Sequence, residues 1–453
     1  MEVFLAYRDD LINRFDPIYT LFRLSFEINS NFQLKELGSI LLEPPQYGAN
    51  ERAIDGNPDL DYRYIRITDI DEYGNLRDEG FKTAENIEER YKLKCGDVLF
   101  ARSGATAGKC FIFTDGMPKS IFAGYLIRFI FDKTKVLPRY VFFVCQLEYY
   151  KSWVLSIQRP AGQPNVNSEE FKSFQIPLPP ILVQQRIIQI MDEAYARKKQ
   201  NEEEAVRLLN SHTELINEFI DINLDSLIQK KTYTINFEEL EGALNPERYA
   251  NSLALDAKYT WTKIKEIGDI VRDTFTPART NPDNDYGLIR IDDLENNPQD
   301  AVIRDVKGNE INGIILKAQR NDILLARLDP TLENKKTIIV PDYPRELIAS
   351  NEFIRFHCHE TVNPTFVLLM LKTDFYKNMM IQKSRGAVPS RRRLSHEDFA
   401  ELPFPIIDKQ TQDKLAEQFV QNVNKAKQLK QEALEALEKA KKEVERIVFE
   451  GVQ

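Results

Sequence analysis

The chain has 453 residues, which suits two to four domains with sizeable cores, and a formal net charge of −9, which taken alone argues against nucleic-acid binding but averages over parts that need not touch DNA and so decides nothing. Its four cysteines (Cys95, Cys110, Cys145, Cys358) are scattered without a CxxC pair, which excludes a disulfide frame or zinc module and reads as reduced, cytoplasmic thiols. Charges at Glu2, Arg8, Asp9 and Asp10 interrupt the start before a signal peptide could form, and the apolar runs are too short and charge-broken for a membrane span.

Residues 20–180 mix short apolar alternations with turn signals. Tyr64-Ile65-Arg66-Ile67, Val98-Leu99-Phe100-Ala101 and 125–131 have strand character, and Pro44-Pro45, Asn57-Pro58 and Tyr73-Gly74-Asn75 mark turns. An aromatic-rich helix over 139–156 is expected to pack on the sheet, giving a mixed α+β domain. Ile176-Pro177-Leu178-Pro179-Pro180 then forms a stiff extended lead, because proline fixes its own φ and keeps the preceding residue out of the helical region. Gln184-Gln185-Arg186 follows and opens a long helix.

Over 186–225 there is no proline or glycine. Ile187, Met191, Ala194, Ala205, Leu208, Leu215, Phe219 and Ile222, with Lys198, Asn201 and His212 in the gaps, step by four and three without a slip. That is a heptad seam with a polar middle, and it needs a partner helix in one register. At about 1.5 Å per residue, the helix is expected to reach roughly 55–60 Å. The segment also carries more acidic than basic side chains.

The chain then repeats itself about 225 residues later. Ile65-Arg66-Ile67-Thr68-Asp69-Ile70 returns as Ile289-Arg290-Ile291-Asp292-Asp293-Leu294, and Gly96-Asp97-Val98-Leu99-Phe100-Ala101-Arg102 as Asn321-Asp322-Ile323-Leu324-Leu325-Ala326-Arg327. Leu34-Lys35-Glu36-Leu37-Gly38 aligns with Ile264-Lys265-Glu266-Ile267-Gly268, and the proline lead with Leu402-Pro403-Phe404-Pro405 before Gln410. Asp16-Pro17-Ile18-Tyr19 has a looser echo at Asn245-Pro246-Glu247-Arg248-Tyr249. A second helix over 412–449 places Phe419, Val423, Ala426, Ala433, Leu437, Ala440, Val444 and Ile447 on its seam. The expected organisation is domain 1–180, helix 181–228, domain 229–408 and helix 409–453. The fold class is α+β: two repeated mixed α/β domains separated by two long helices that pair as an antiparallel coiled coil, with pseudo-two-fold symmetry. A globular domain would then stand at each end of a rod.

Several catalytic signatures are incomplete. The Asp/Asn-Pro motifs resemble those of amino-methyltransferases, but no glycine-rich cofactor turn precedes the first. Gly104-Ala105-Thr106-Ala107-Gly108-Lys109 has too few residues between its glycines for a phosphate loop, with Cys110 where Ser or Thr belongs. Glu333-Asn334-Lys335 lacks a partner aspartate for nuclease chemistry, and His357-Cys358-His359 lacks a second ligand pair for zinc. Only 18 glycines in the chain also disfavour a nucleotide-cradling fold.

The loops carry the chemistry of DNA contact instead. Arg102, Ser103 and Gly104 end a strand, with Lys109 just beyond; Arg159, Gln163 and Asn165 lie ahead of the first proline lead. Their counterparts are Arg327 and Lys335, then Arg385, Ser390, Arg391, Arg392 and Arg393 in a stretch without acids. Arginine grips phosphates or reads guanine, and Gln and Asn suit adenine edges. The competing reading is structural: Arg102 and Arg327 closing internal salt bridges, and 391–393 forming a solvated turn neutralised by Glu397 and Asp398.

With the repeat, the strand-end loop and both proline leads in view, the chain resembles the specificity (S) subunits of type I restriction–modification systems over essentially its whole length. The resemblance implies two target-recognition domains, each reading half of a split site in double-stranded DNA, with the helices setting the gap. It implies no catalytic centre and no directly bound cofactor. The expected partners are two methyltransferase (M) subunits, which bind S-adenosylmethionine and methylate adenine, and in many systems translocating restriction (R) subunits; no membrane is involved. The second lead departs from the first by lacking the double proline and by having Thr411 at the second glutamine, and Leu328-Asp329-Pro330 follows Arg327 in place of Ser-Gly. A recognition subunit of a type IIB-like or other phage-defence methyltransferase system fits the same residues. A stand-alone DNA methyltransferase or nuclease, and a scaffold built on the helices, are the other readings.

Overall fold

The computed structural model describes residues 30, 32–77, 80–157, 165–220, 259–294, 301–386, 388 and 391–450. The chain divides into two compact units, one of Met1–Asn201 with Gln431–Gln453 and the other of Glu202–Lys430.

In the first unit an antiparallel sheet runs in the order Gln46–Tyr47, Leu126–Phe129, Val98–Ala101, Cys110–Ile112. Val98–Ala101 is buried at every position, as expected of a short apolar run covered on both faces. Alternation divides its side chains. Val98 and Phe100 face helices Pro138–Val144 and Glu148–Ile157, whereas Leu99 and Ala101 join Ile65, Ile70 and Phe111 on the other side. Phe100 lies 4.9 Å from the ring of Phe129 and 5.0 Å from that of Phe171, fixing that side of the core with aromatic contacts. Arg63–Ile65 pairs in parallel with Ser120–Phe122.

The second unit repeats this scheme. Its sheet runs Gly268–Val271, Phe353–Cys358, Ile323–Ala326, Thr337–Ile339, and Ile323 and Leu325 face helices Pro364–Leu371 and Asp374–Lys383. Leu324 and Ala326 face a second core. The parallel pair returns as Asp285–Ile289 with Glu346–Ser350, here extended into a five-stranded sheet. The repeated aspartates before the central strands hold the turns. Asp97 accepts from the Lys94 N–H at 3.0 Å and pairs with Arg128, while Asp322 accepts from the Gln319 N–H at 2.9 Å and pairs with Arg355.

Both proline leads are strands. Gln175–Pro177 pairs antiparallel with Leu34–Glu36, and Pro403–Pro405 with Trp261–Lys263. A tyrosine from the neighbouring helix donates to the first carbonyl of each: Tyr149 to Gln175 at 2.9 Å and Tyr376 to Pro403 at 2.8 Å. The pairing corrects two sequence alignments. Leu37 and Ile264 occupy the same place, each opening a 3₁₀ turn and donating its N–H to the residue ahead of the lead (Phe174 and Leu402), so matching Leu34 with Ile264 is off by three residues.

The second correction concerns the glutamines. Gln184 is fully buried; it accepts from the Leu137 N–H at 2.8 Å and donates to the Pro179 carbonyl at 2.9 Å. Gln412 accepts from the Asn363 N–H at 2.8 Å and donates to the Ile407 carbonyl at 2.8 Å. Each glutamine thus secures the residue before a helix that opens on proline, Pro138 or Pro364. Gln410 is exposed, so the match of Gln184 stands two residues later than the sequence alignment placed it, and Asp413 rather than Thr411 stands where the first lead has Gln185.

Most of the described seam positions are buried, with Leu208, Phe219 and Ala440 half-buried and Ile222 outside the described residues. Ile187, Met191 and Ala194 share a core with Leu437, Val444, Ile447 and Val448 in the first unit, and Leu215 and Ile216 share one with Leu415, Phe419 and Val423 in the second. The order is antiparallel in both. Lys198 is accommodated on the seam by placing its ammonium 4.1 Å from the Tyr73 ring centre. The first helix is not continuous to 225, however. It spans Ile181–Leu209, breaks at Asn210-Ser211 and resumes over His212–Ile220, with residues 221–258 outside the described set. Ser211 explains the break: its hydroxyl donates back to the Leu208 carbonyl at 2.7 Å and accepts from Asn422 at 2.9 Å, competing with the helical ladder. The second helix runs unbroken over Lys409–Glu445.

Candidate nucleic-acid interface

In the first unit the central strand delivers Arg102 to a loop junction. Its backbone N–H donates to Tyr125 at 3.0 Å and its carbonyl accepts from Val166 at 2.8 Å, while Ser103 bridges to Asn165. Asn165, 62 residues beyond Ser103 in sequence, is therefore a neighbour of Arg102 and Ser103. Gly104, at φ +73°, turns the chain sharply after Ser103. The Arg102 guanidinium lies 5.0 Å from the ring centre of Tyr47, and its Nε is buried without a hydrogen-bond partner. Tyr47 is itself fixed by exchange with Ser168, accepting from its N–H at 3.2 Å. Among the described residues Arg102 closes no salt bridge of the kind the competing structural reading would have it make.

Lys109 has a different task. Its ammonium donates to the Ile70 carbonyl at 2.9 Å, tying the strand-end loop to the neighbouring turn. Its counterpart is Lys336, which donates to the Leu294 carbonyl at 2.5 Å. Lys335 holds a left-handed φ of +49° and pairs with Asp374 at 3.0 Å. Arg159, Gln163 and Ser390 lie outside the described residues.

The second unit brings its arginines to the equivalent junction, where Leu328 bridges to Arg393 and Arg393 to Arg385. Carboxylates meet most of them. Glu352 accepts from Arg393 in a two-pronged pair at 3.0 Å and also meets Arg327 at 3.3 Å; these guanidiniums, Arg393 first, hold its carboxyl below the usual range. Arg385 pairs with Asp398 at 3.3 Å. Arg392 donates to the Ser384 and Ile381 carbonyls at the end of helix Asp374–Lys383, and meets Asp329 at 3.4 Å. It serves as a C-terminal cap for that helix. Arg391 alone of the four is exposed with no side-chain partner among the described residues.

The acid that neutralises this loop is thus chiefly Glu352, with Asp398 and Asp329; Glu397 pairs with Arg272 instead. Neither Glu352 nor Tyr47 was marked by sequence. Glu352 reaches the loop from a turn 41 residues earlier, and Tyr47 from an edge strand, so local spacing carried no signal for either.

The other motifs have structural roles. His357 meets Asp322 at 2.8 Å, His359 meets Asp269 at 3.4 Å, and burial pushes the Cys358 thiol up to about 12. Among the described residues no cluster of three or more metal-ligating side chains is present. Nor is any described helix long and apolar enough to cross a membrane.

Comparison with known proteins places residues 29–207 in the type I restriction modification DNA specificity domain family. The type I restriction enzyme MjaVIII specificity subunit of Methanocaldococcus jannaschii is 21% identical over 370 residues, covering 78% of each chain. Among solved structures, a chain from a study of type I R-M complex assembly and conformational transition has a TM-score of 0.47 at 14% identity, covering 92% of this chain and 96% of the other. The HsdS subunit of Thermoanaerobacter tengcongensis gives 0.39 at 13% identity over 93% and 97%, and the S subunit from M. genitalium 0.43 at 12% over 93% and 96%.

Proposed function

The chain belongs to the DNA specificity subunits of type I restriction–modification systems, and on that premise we propose that its two units each read one half of a bipartite DNA site. The observation that carries this reading is the repeated junction. In both units the central strand ends beside the loop that precedes the proline lead, so two equivalent edges present different side chains. The first edge offers Arg102, Ser103 and Asn165; the second offers Arg391, with Arg385 and Arg393 reaching outward from acid partners. Different side chains on one scaffold suit different half-sites.

The subunit would not catalyse. Methyl transfer belongs in this reading to methyltransferase subunits that hold S-adenosylmethionine, two per specificity subunit, and strand cleavage to translocating restriction subunits. Lys109, Lys335 and Arg392 act as tethers behind the contact edge, because their donors already serve protein groups.

Co-expression with its methyltransferase and mapping of methylated adenines tests the proposal. A split motif with a fixed gap is expected. An undivided motif, or no methylation that depends on this chain, overturns it.

A further inference from the structure

A cavity of about 300 Å³ opens in the first unit beside the loop that follows Arg102. The backbone of 104–109 forms one wall, and Tyr150 and Val154 of helix Glu148–Ile157 form the other. Gly108, at φ +91°, allows this close approach, since a Cβ there would meet Val154 at 2.6 Å. The lining is mostly apolar, and several of its polar groups are already engaged. The Tyr150 hydroxyl donates to Gly108 at 2.9 Å, the Lys109 ammonium to Ile70, and burial holds the Cys145 thiol well above its ordinary range.

Gln146 is the exception. It is 5% exposed and lines the cavity; its backbone N–H donates to the Phe143 carbonyl at 3.0 Å, and its carboxamide makes no hydrogen bond to another of the described residues. A nearly buried carboxamide facing a cavity at the small end of ligand-site volumes is a recognition group without its complement. It presents a donor and an acceptor side by side, the complement of the adenine edge. Glu72 and Lys151, also at the cavity, carry opposite charges and give no net preference for a phosphate.

We propose that this cavity is a nucleobase site in which Gln146 pairs with the donor–acceptor edge of an adenine-type ring. The base could come from a free nucleoside or from a nucleotide turned out of bound DNA; only the second source rests on the DNA reading above. Neither the family match nor the strand-end arginines assign the cavity a ligand.

The test uses the full chain and Gln146→Leu, with thermal melting to confirm that both fold. In one arm adenosine, guanosine, cytidine and thymidine are titrated and followed by saturation-transfer NMR. In the other, duplexes carry 2-aminopurine beside, and never in place of, each adenine of the motif other than the methylated one, so that this adenine keeps the 6-amino group that Gln146 would bind; fluorescence is read in the complex with the methyltransferase. A free-nucleoside site predicts adenosine binding that Gln146→Leu weakens about tenfold or more. An extrahelical base predicts a rise in 2-aminopurine emission that Gln146→Leu abolishes. Absence of both signals, or either signal unchanged by the substitution, overturns the proposal. Failure of duplex binding with adenosine binding intact would count against the DNA reading alone. If Gln146→Leu melts early, Leu155→Trp, which fills the cavity from an exposed lining position, gives the same discrimination.

Discussion

Gln184 and Gln412 each satisfy a backbone N–H and a carbonyl at the point where a strand hands over to a long helix. Replacing either by leucine leaves both groups unsatisfied, and orphaned buried polar groups cost about 1–3 kcal/mol each. We expect Gln184→Leu and Gln412→Leu to destabilise their own units by about 2–4 kcal/mol in urea unfolding. Gln185→Ala and Gln410→Ala, at exposed neighbours, should stay within about 0.5 kcal/mol. A reversed ranking of Gln410 and Gln412 would refute the assignment. His212 offers a pH signature. Burial, and then the neighbouring Lys335, lower its pKa to about 4, while its ring nitrogen lies 3.2 Å from the Lys372 carbonyl and Asp374 opposes the shift. Between pH 6.5 and 4 the unfolded chain therefore binds the extra proton, so stability of the second unit falls as pH drops through that window and is unaffected above it. The loss should reach about 3 kcal/mol at most. His212→Gln should flatten the profile between pH 6.5 and 4, and an unchanged slope would rule the residue out.

At the scale of elements, Phe419 is buried on the second helix seam and Leu434 is exposed on the same helix. Phe419→Ala should cost about 3–5 kcal/mol and Leu434→Ala less than about 0.5, measured by thermal and urea unfolding. The seams were legible in sequence because burial in a helix pair imposes a strict period. So was the repeat, because the central strands Val98–Ala101 and Ile323–Ala326 need unbroken apolar runs. What spacing could not supply was the identity of distant partners. Glu352 meeting Arg327 and Arg393, Tyr47 beneath Arg102, and Ser211 diverting a helix through Asn422 all depend on tertiary contacts. The misplaced glutamine has the same origin: adjacent Gln residues in the first lead suggested Gln410 as the match, whereas helical phase selects Gln412.

For the molecule as a whole, the contact edges should reveal themselves through salt. Arg391→Ala in the complex with its methyltransferase should weaken duplex binding and lower the slope of log affinity against log salt by about one, because a free guanidinium on a phosphate releases about one counterion. Arg392→Ala should instead lower thermal stability, since its donors cap a helix end. An unchanged salt slope in Arg391→Ala would remove that residue from the interface.

The antiparallel seams have a consequence in time. The core built on residues before Asn201 also needs Leu437, Val444, Ile447 and Val448, and the Val448 carbonyl accepts from the Ser30 hydroxyl at 2.9 Å. On the ribosome those partners emerge more than two hundred residues later, about 10 to 50 s at ordinary elongation rates. The unit synthesised first is the one completed last. Throughout that interval it carries an uncovered apolar stripe along Ile187, Met191 and Ala194, the period in which a nascent chain is most exposed to chaperones and to mispairing.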